Sequence, residues 1–159
     1  MSTMNVLICQ QPKELVWKQR EIPIPGDNEA LIKIKSVGIC GTDIHAWGGN
    51  QPFFSYPRVL GHEICGEIVG LGKNIADLKN GQQVAVIPYV ACQQCPACKS
   101  GRTNCCEKIS VIGVHQDGGF SEYLSVPVAN ILPADGIDPQ AAALIEPFAI
   151  SAHAVRRAA

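Results

Sequence analysis

Four cysteines in one short loop, Cys92-x2-Cys95-x2-Cys98-x7-Cys106, offer four thiolates to a single ion, and Pro96, Gly101 and Asn104 supply the turns to wrap the loop around it. Zn²⁺ held by four thiolates is tetrahedral and closed, so the chemistry expected there is structural. An iron–sulfur cluster also uses Cys-x2-Cys-x2-Cys. Its usual fourth cysteine follows after three residues and precedes Pro, whereas Cys106 comes later and precedes Glu107. Zinc is the better fit. Cys105, beside Cys106, cannot easily bind the same ion and reads as a bystander or a swap candidate.

A second constellation lies upstream. Gly38-Ile39-Cys40-Gly41-Thr42-Asp43-Ile44-His45 is followed by Gly61-His62-Glu63-Ile64-Cys65-Gly66, with Gly72 six residues further on. Cys40, His62 and Glu63 provide a thiolate, an imidazole and a carboxylate, a mixed set that suits a catalytic zinc with one position left for water or substrate. Singly, each has a plainer reading: a small core residue, a satisfied core histidine, a surface charge. Together, ahead of a four-cysteine loop, they point to a second ion.

The elements that must position these groups are mostly strands. Ala30 to Lys35 alternates Ile32 and Ile34 with Lys33 and Lys35, the period of a half-buried strand. Further β-rich runs cover Asn5 to Cys9, Ile64 to Val69, Gln83 to Ile87, Phe120 to Val126 and Asn130 to Leu132, bounded by Gly, Pro or Asn. With 15 glycines and 11 prolines between short strands, the pattern predicts a mainly β, barrel-like or sandwich-like domain over residues 1–137. The tail differs. Asp138 as N-cap and Pro139 at the first helical position open a helix-favouring run, in which Pro147 should cause a kink or break. The sequence stops at Ala159 while still reading as helix, which predicts a truncated chain.

Composition narrows the partners. At 159 residues the chain is about one domain, with 13 basic and 14 acidic residues, and no Lys/Arg cluster that would neutralise a run of phosphates. Nucleic acid is not expected. No export signal or membrane span is legible, so the protein is expected in the cytoplasm, where thiols stay reduced and eight cysteines serve metals rather than disulfides.

Gly61-His62-Glu63-x2-Gly66-x5-Gly72 resembles the zinc signature of the medium-chain alcohol and polyol dehydrogenases, and Cys92, Cys95, Cys98 and Cys106 resemble that family's structural-zinc lobe, in the same order and spacing. The likeness runs from the Asn5 strand to Glu146-Pro147 and is greatest toward polyol, threonine and sugar-acid dehydrogenases, in wording toward bacterial hexonate enzymes. Ile75, where the signature usually has Val, is a small departure. The resemblance implies a GroES-like, partly open β-barrel with short helices and a zinc-binding lobe at about 90–110. Residues 138–159 would begin a helical connection to a Rossmann domain absent from this sequence.

It further implies two zinc ions per chain, NAD or NADP in the full-length protein, a polyol or sugar-acid substrate, and a homo-oligomer. Cys40 and His62 resemble the invariant pair of catalytic zinc ligands. Glu63 or Glu146 would complete the set, directly or through water. Asp43 resembles the carboxylate that holds the ligand imidazole, Thr42 the hydroxyl that takes the alcohol proton, and His45 the outer end of a relay to solvent. Trp47, Phe53, Phe54 and Tyr56 are either part of a substrate wall or loop anchors, whereas His115 and His153 have no comparable context. Gly113, Gly118 and Gly119 lack the spacing of a dinucleotide-binding turn, so a hydride acceptor's site is expected outside these residues. Two other readings compete: a zinc-stabilised binding module without catalysis, and a zinc-free quinone reductase-like oxidoreductase. The mixed ligand set argues against both.

Overall fold

A computed structural model describes residues 2–158. Its first strand, β1 (Thr3–Gln11), buries Met4, Val6 and Ile8 on one face, as alternation requires. It pairs antiparallel with β2 (Glu14–Glu21), a strand missing from the sequence reading because the run is mostly exposed and lacks a clean apolar period. On its other side β1 meets β4 (Arg58–Val59), completing a three-stranded sheet.

The larger sheet holds five strands in the order β10-β6-β5-β3-β9. They are β3 (Glu29–Gly38), β5 (Glu63–Leu71), β6 (Gln83–Val86), β9 (Tyr123–Pro127) and β10 (Ile131–Pro133), each overlapping an expected run. Ala30, Ile32, Ile64, Ile68, Val84, Val86, Ile112 and Val126 form its buried core. The two sheets lean together through backbone bonds from Leu7 to Phe120 and from Glu122 to Asn5, but they do not close into a ring. The domain is mainly β, a partly open rather than closed barrel.

Register is what places the site. β3 and β5 run antiparallel with irregularities between Leu31/Ile32 and Ile34/Ser36, and the pairing ends with Gly38 opposite Glu63. The last residue of one strand thus faces the first residue of the next. A Cβ on Gly66 would lie 2.4 Å from Ile32 Cγ2 and 2.6 Å from the Lys33 carbonyl, so this glycine allows the two strands to cross closely.

Two helical features depart from expectation. Residues after Cys40, for which the sequence pattern predicts no element, form a helix, α1 (Gly41–Gly48), ended by Gly49 in the left-handed region at φ 82°. At the other end Asp138 does cap α3 (Pro139–Ala143), its carboxylate accepting from the Gln140 and Ala141 N–H groups. The break falls at Leu144, ahead of Pro147, and a second helix α4 (Ile145–Ala158) follows. Pro147 is the third residue of α4, where its missing N–H is one that a helix start leaves unpaired anyway.

The three glycines without dinucleotide spacing have packing roles. A Cβ on Gly118 would lie 2.2 Å from the Gly61 carbonyl, and one on Gly113 2.8 Å from it. Backbone N–H groups of Gly118, Gly119 and Phe120 donate to Val59, Gly61 and Leu60 at 2.8–2.9 Å. That clasp fixes the chain entering His62.

Candidate metal centres

Cys40 follows β3 by two residues and is the N-cap of α1, while His62 and Glu63 stand at the start of β5. The paired ends of β3 and β5 therefore deliver all three side chains to one point, where a ligand atom from each lies within 4.8 Å of the others. His62 and Glu63 are each 7% exposed. Burying a carboxylate beside a thiol and an imidazole is costly unless a cation compensates it.

Gly38 makes the cradle. A Cβ there would sit 2.0 Å from Glu63 Oε2, so the missing side chain is the space the carboxylate fills. Gly38→Ala is expected to expel Glu63 and weaken metal binding at this cluster by about tenfold or more, while the cysteine loop keeps its ion. Zinc content after dialysis against a weak chelator measures it.

Asp43 is buried and pins the arrangement. Its Oδ2 accepts from the Cys40 N–H at 2.8 Å and its Oδ1 from the Gly61 N–H at 3.0 Å, tying the cap of α1 to the segment before His62. His62 Nδ1 is buried without a hydrogen-bond partner and faces Asp43 Oδ1 at 3.8 Å. This carboxylate holds the backbone directly and faces the imidazole across a gap. His62 Nε2 lies 3.5 Å from Thr42 Oγ1, which puts that hydroxyl beside the cluster. Thr42 and His45 are exposed and one helical turn apart on α1, hence on the same side of it.

Glu146 does not join Cys40, His62 and Glu63. It lies in the first turn of α4, 9% exposed, and accepts a hydrogen bond from the Tyr89 phenol at 2.7 Å. Tyr89 opens β7 (Tyr89–Val90), which pairs with β8 (Ser110–Val111). Burial and the Glu146 acceptor hold the phenol proton well above its usual range, and Cys40 is near enough for its charge to add to that effect. The buried Asn130 amide fixes this corner by donating to the Ile87 and Tyr89 carbonyls at 2.8 and 3.1 Å. Neither Tyr89 nor Asn130 was legible as a site residue, because their partners are over forty residues away and share no spacing motif.

β7 and β8 close the base of the cysteine lobe. Cys92, Cys95, Cys98 and Cys106 bring their sulfurs within 4.8 Å of one another, and Cys105 is exposed. Cys95 caps α2 (Pro96–Lys99), with Pro96 at its first position. Backbone N–H groups aim at the sulfurs: Cys95 at Cys92 Sγ (3.4 Å), Cys92 and Lys108 at Cys106 Sγ (3.3 Å each). Donation from the Gln94 and Cys95 backbone lowers the Cys92 thiol to about 6, while burial pushes Cys98 up to about 12. Four cysteine sulfurs this close could hold one ion as thiolates, and the sulfur-only set fits zinc. By contrast Cys9 and Cys65 are fully buried core thiols raised by desolvation.

The remaining candidates lie outside both clusters. Phe54 and Tyr56 stack edge to face at 4.8 Å beside Cys9, Ala46 and Leu60, and the Tyr56 hydroxyl donates to the Ala46 carbonyl, so both anchor their loop. Trp47 and Phe53 are 40% and 74% exposed. His115 Nδ1 accepts from the Val111 N–H at 3.0 Å within a tight turn, and His153 lies on the exposed outer part of α4.

A partly open β domain that gathers four cysteine sulfurs in one cluster and a thiol, an imidazole and a carboxylate in another is the arrangement the zinc-dependent dehydrogenase resemblance leads one to expect. The chain belongs to the alcohol dehydrogenase GroES-like domain family, which residues 26–136 match. It is 44% identical over 157 residues to an uncharacterised zinc-type alcohol dehydrogenase-like protein of Haemophilus influenzae, covering 97% of this chain and 46% of that protein. An L-threonine 3-dehydrogenase of Legionella pneumophila (strain Philadelphia 1) is 38% identical over 156 residues, covering 94% and 46% respectively. Among solved structures, the RspB alcohol dehydrogenase of Escherichia coli CFT073 complexed with NADH superimposes with TM-score 0.89 at 41% identity, over 96% of this chain and 44% of that one. Galactitol-1-phosphate dehydrogenase of Escherichia coli gives 0.90 at 33%, over 95% and 44%. The chain thus spans under half the length of these proteins. Among the described residues no helix is long and apolar enough to cross a membrane.

Proposed function

We propose that this chain is the zinc-carrying part of an NAD(P)-dependent dehydrogenase that oxidises a secondary alcohol of a polyol or sugar acid to a ketone. The observation that carries the reading is the convergence of Cys40, His62 and Glu63 within 4.8 Å at the paired ends of β3 and β5. A recognition module stabilised by the cysteine lobe has no use for a second, buried, mixed set. A quinone reductase-like enzyme would not require one.

Cys40, His62 and Glu63 would hold the catalytic ion, and Cys92, Cys95, Cys98 and Cys106 the structural one. When bound, the catalytic zinc supplies Lewis acidity, which lowers the pKa of an alcohol as it does that of water. The chain's own residues do the rest. Glu63 compensates charge in the cradle left by Gly38, Asp43 keeps α1 and the His62 segment in register, and Thr42 accepts the substrate hydroxyl proton. His45, one turn further on, passes it to solvent. The hydride acceptor is NAD(P), the cofactor class seen with the RspB structure. It would bind on a further domain beyond residues 138–159. Phe148 and Val155, each 72% exposed on α4, support a neighbour there.

Steady-state assays of the full-length protein with NAD and NADP against polyols, aldonates and L-threonine test the reading. Oxidation of a polyol or aldonate supports it, and absence of turnover with every alcohol would sink it. Threonine oxidation is the second reading, favoured by the relative of that name. His45→Ala is expected to lower the rate modestly and mainly shift its pH dependence, because water can bypass an exposed relay. A pH–rate profile checks this, and an unchanged profile would remove His45 from the pathway.

A further inference from the structure

Glu146 is a buried carboxylate bonded to Tyr89, a residue close enough to Cys40 to feel its charge, yet it lies outside the ligand cluster. Two anionic donors and an imidazole already occupy that cluster. A fourth protein ligand would fill a tetrahedral ion and close the position an alcohol needs. Coulomb attraction in a partly desolvated site would draw a free carboxylate inward, so something must restrain it.

The restraint is visible. Tyr89 donates to Glu146 Oε1 at 2.7 Å, from a residue whose backbone is fixed twice over: in the β7–β8 pair opposite Val111, and by the Asn130 amide on its carbonyl at 3.1 Å. Glu146 itself hangs from the start of α4, just after the helix break at Leu144. We propose that Tyr89 is a positioning residue that holds the Glu146 carboxylate aside from Cys40, His62 and Glu63, keeping one coordination position open for substrate oxygen. This rests on the reading of that cluster as the catalytic metal centre.

The test is optical and does not depend on turnover. Co²⁺ replaces zinc in the full-length protein, and the mixed-ligand site is followed by its d–d bands, whose positions depend on which groups surround the four-coordinate ion. Tyr89→Phe removes one oxygen and is expected to move those bands, as the Glu146 carboxylate takes the fourth position in place of solvent, and to slow chelator release of that ion about tenfold. Tyr89→Phe/Glu146→Gln should return both to the wild-type values. Glu146→Gln alone should leave the wild-type spectrum unchanged. A changed spectrum in Glu146→Gln would mean the carboxylate is already a ligand and would overturn the inference, as would a wild-type spectrum and release rate in Tyr89→Phe. If wild-type protein takes cobalt only in the cysteine loop, the metal-centre reading itself fails and the inference falls with it.

Discussion

In the full-length protein, Cys40→Ser and His62→Ala are each expected to abolish alcohol oxidation while nucleotide binding survives. Both residues belong to the cluster at the β3–β5 ends, and the groups around them are otherwise engaged: Asp43 by the Cys40 and Gly61 N–H groups, Glu146 by Tyr89, while Thr42 offers only a neutral hydroxyl. Changes to groups that merely surround a metal site cost about 10- to 100-fold in affinity or activity, so loss of a direct ligand should exceed the upper end of that range. The fold should persist, since Cys40 is a half-buried residue at a helix start and the β3–β5 core lies beyond it. Turnover, NADH titration by fluorescence and zinc content, measured together, decide the matter. Full activity in Cys40→Ser would remove it from the ligand set. Parallel loss of nucleotide binding would contradict a nucleotide site lying elsewhere.

The cysteine lobe and the strand pairing were legible in sequence for one physical reason: local spacing constrains both. Cys92, Cys95, Cys98 and Cys106 lie within one short segment, and Ile32 and Ile34 alternate with lysines along β3. The Cys40, His62 and Glu63 grouping was legible by type and resemblance. Its cause, the bulged register that sets Gly38 against Glu63, is a tertiary fact that no local pattern encodes. α1 was missed because Gly41, Thr42 and Gly48 are poor helix formers, and the Asp43 cap that starts it outweighs propensity. β2 was missed for want of a buried face. Glu146 illustrates the limit most clearly. Sequence left it equal to Glu63 as third ligand, whereas the structure groups Glu63 with Cys40 and His62 and bonds Glu146 to Tyr89, a residue fixed by Asn130 and β8.

Cys95→Ser is expected to melt the lobe while leaving the rest of the domain folded. The lobe's own core is three cysteines with Ala91, Cys92, Ala97 and Ile109 around them, which is little apolar surface to set against the entropy of ordering residues 91–109. The ion must therefore supply most of the local stability, and structural zinc contributes about 10 to 16 kcal/mol of apparent binding energy in small peptides. Cys95 is also the residue at which α2 begins, and its N–H points at Cys92 Sγ, so losing its sulfur's metal bond should release both. The five-stranded sheet does not share this dependence, because its core of Ile32, Ile64, Ile68, Val84 and Val126 is closed without the lobe. Hydrogen exchange should show fast amides across 92–106 and unchanged protection in β3 and β5, with zinc content lower by one ion per chain. In the unaltered protein the order of loss should be the reverse. A chelator should take the mixed-ligand ion first, since a thiolate, an imidazole and a carboxylate with an open position hold zinc less tightly than four thiolates. Unchanged zinc content and unchanged protection in Cys95→Ser would overturn the structural role of the loop.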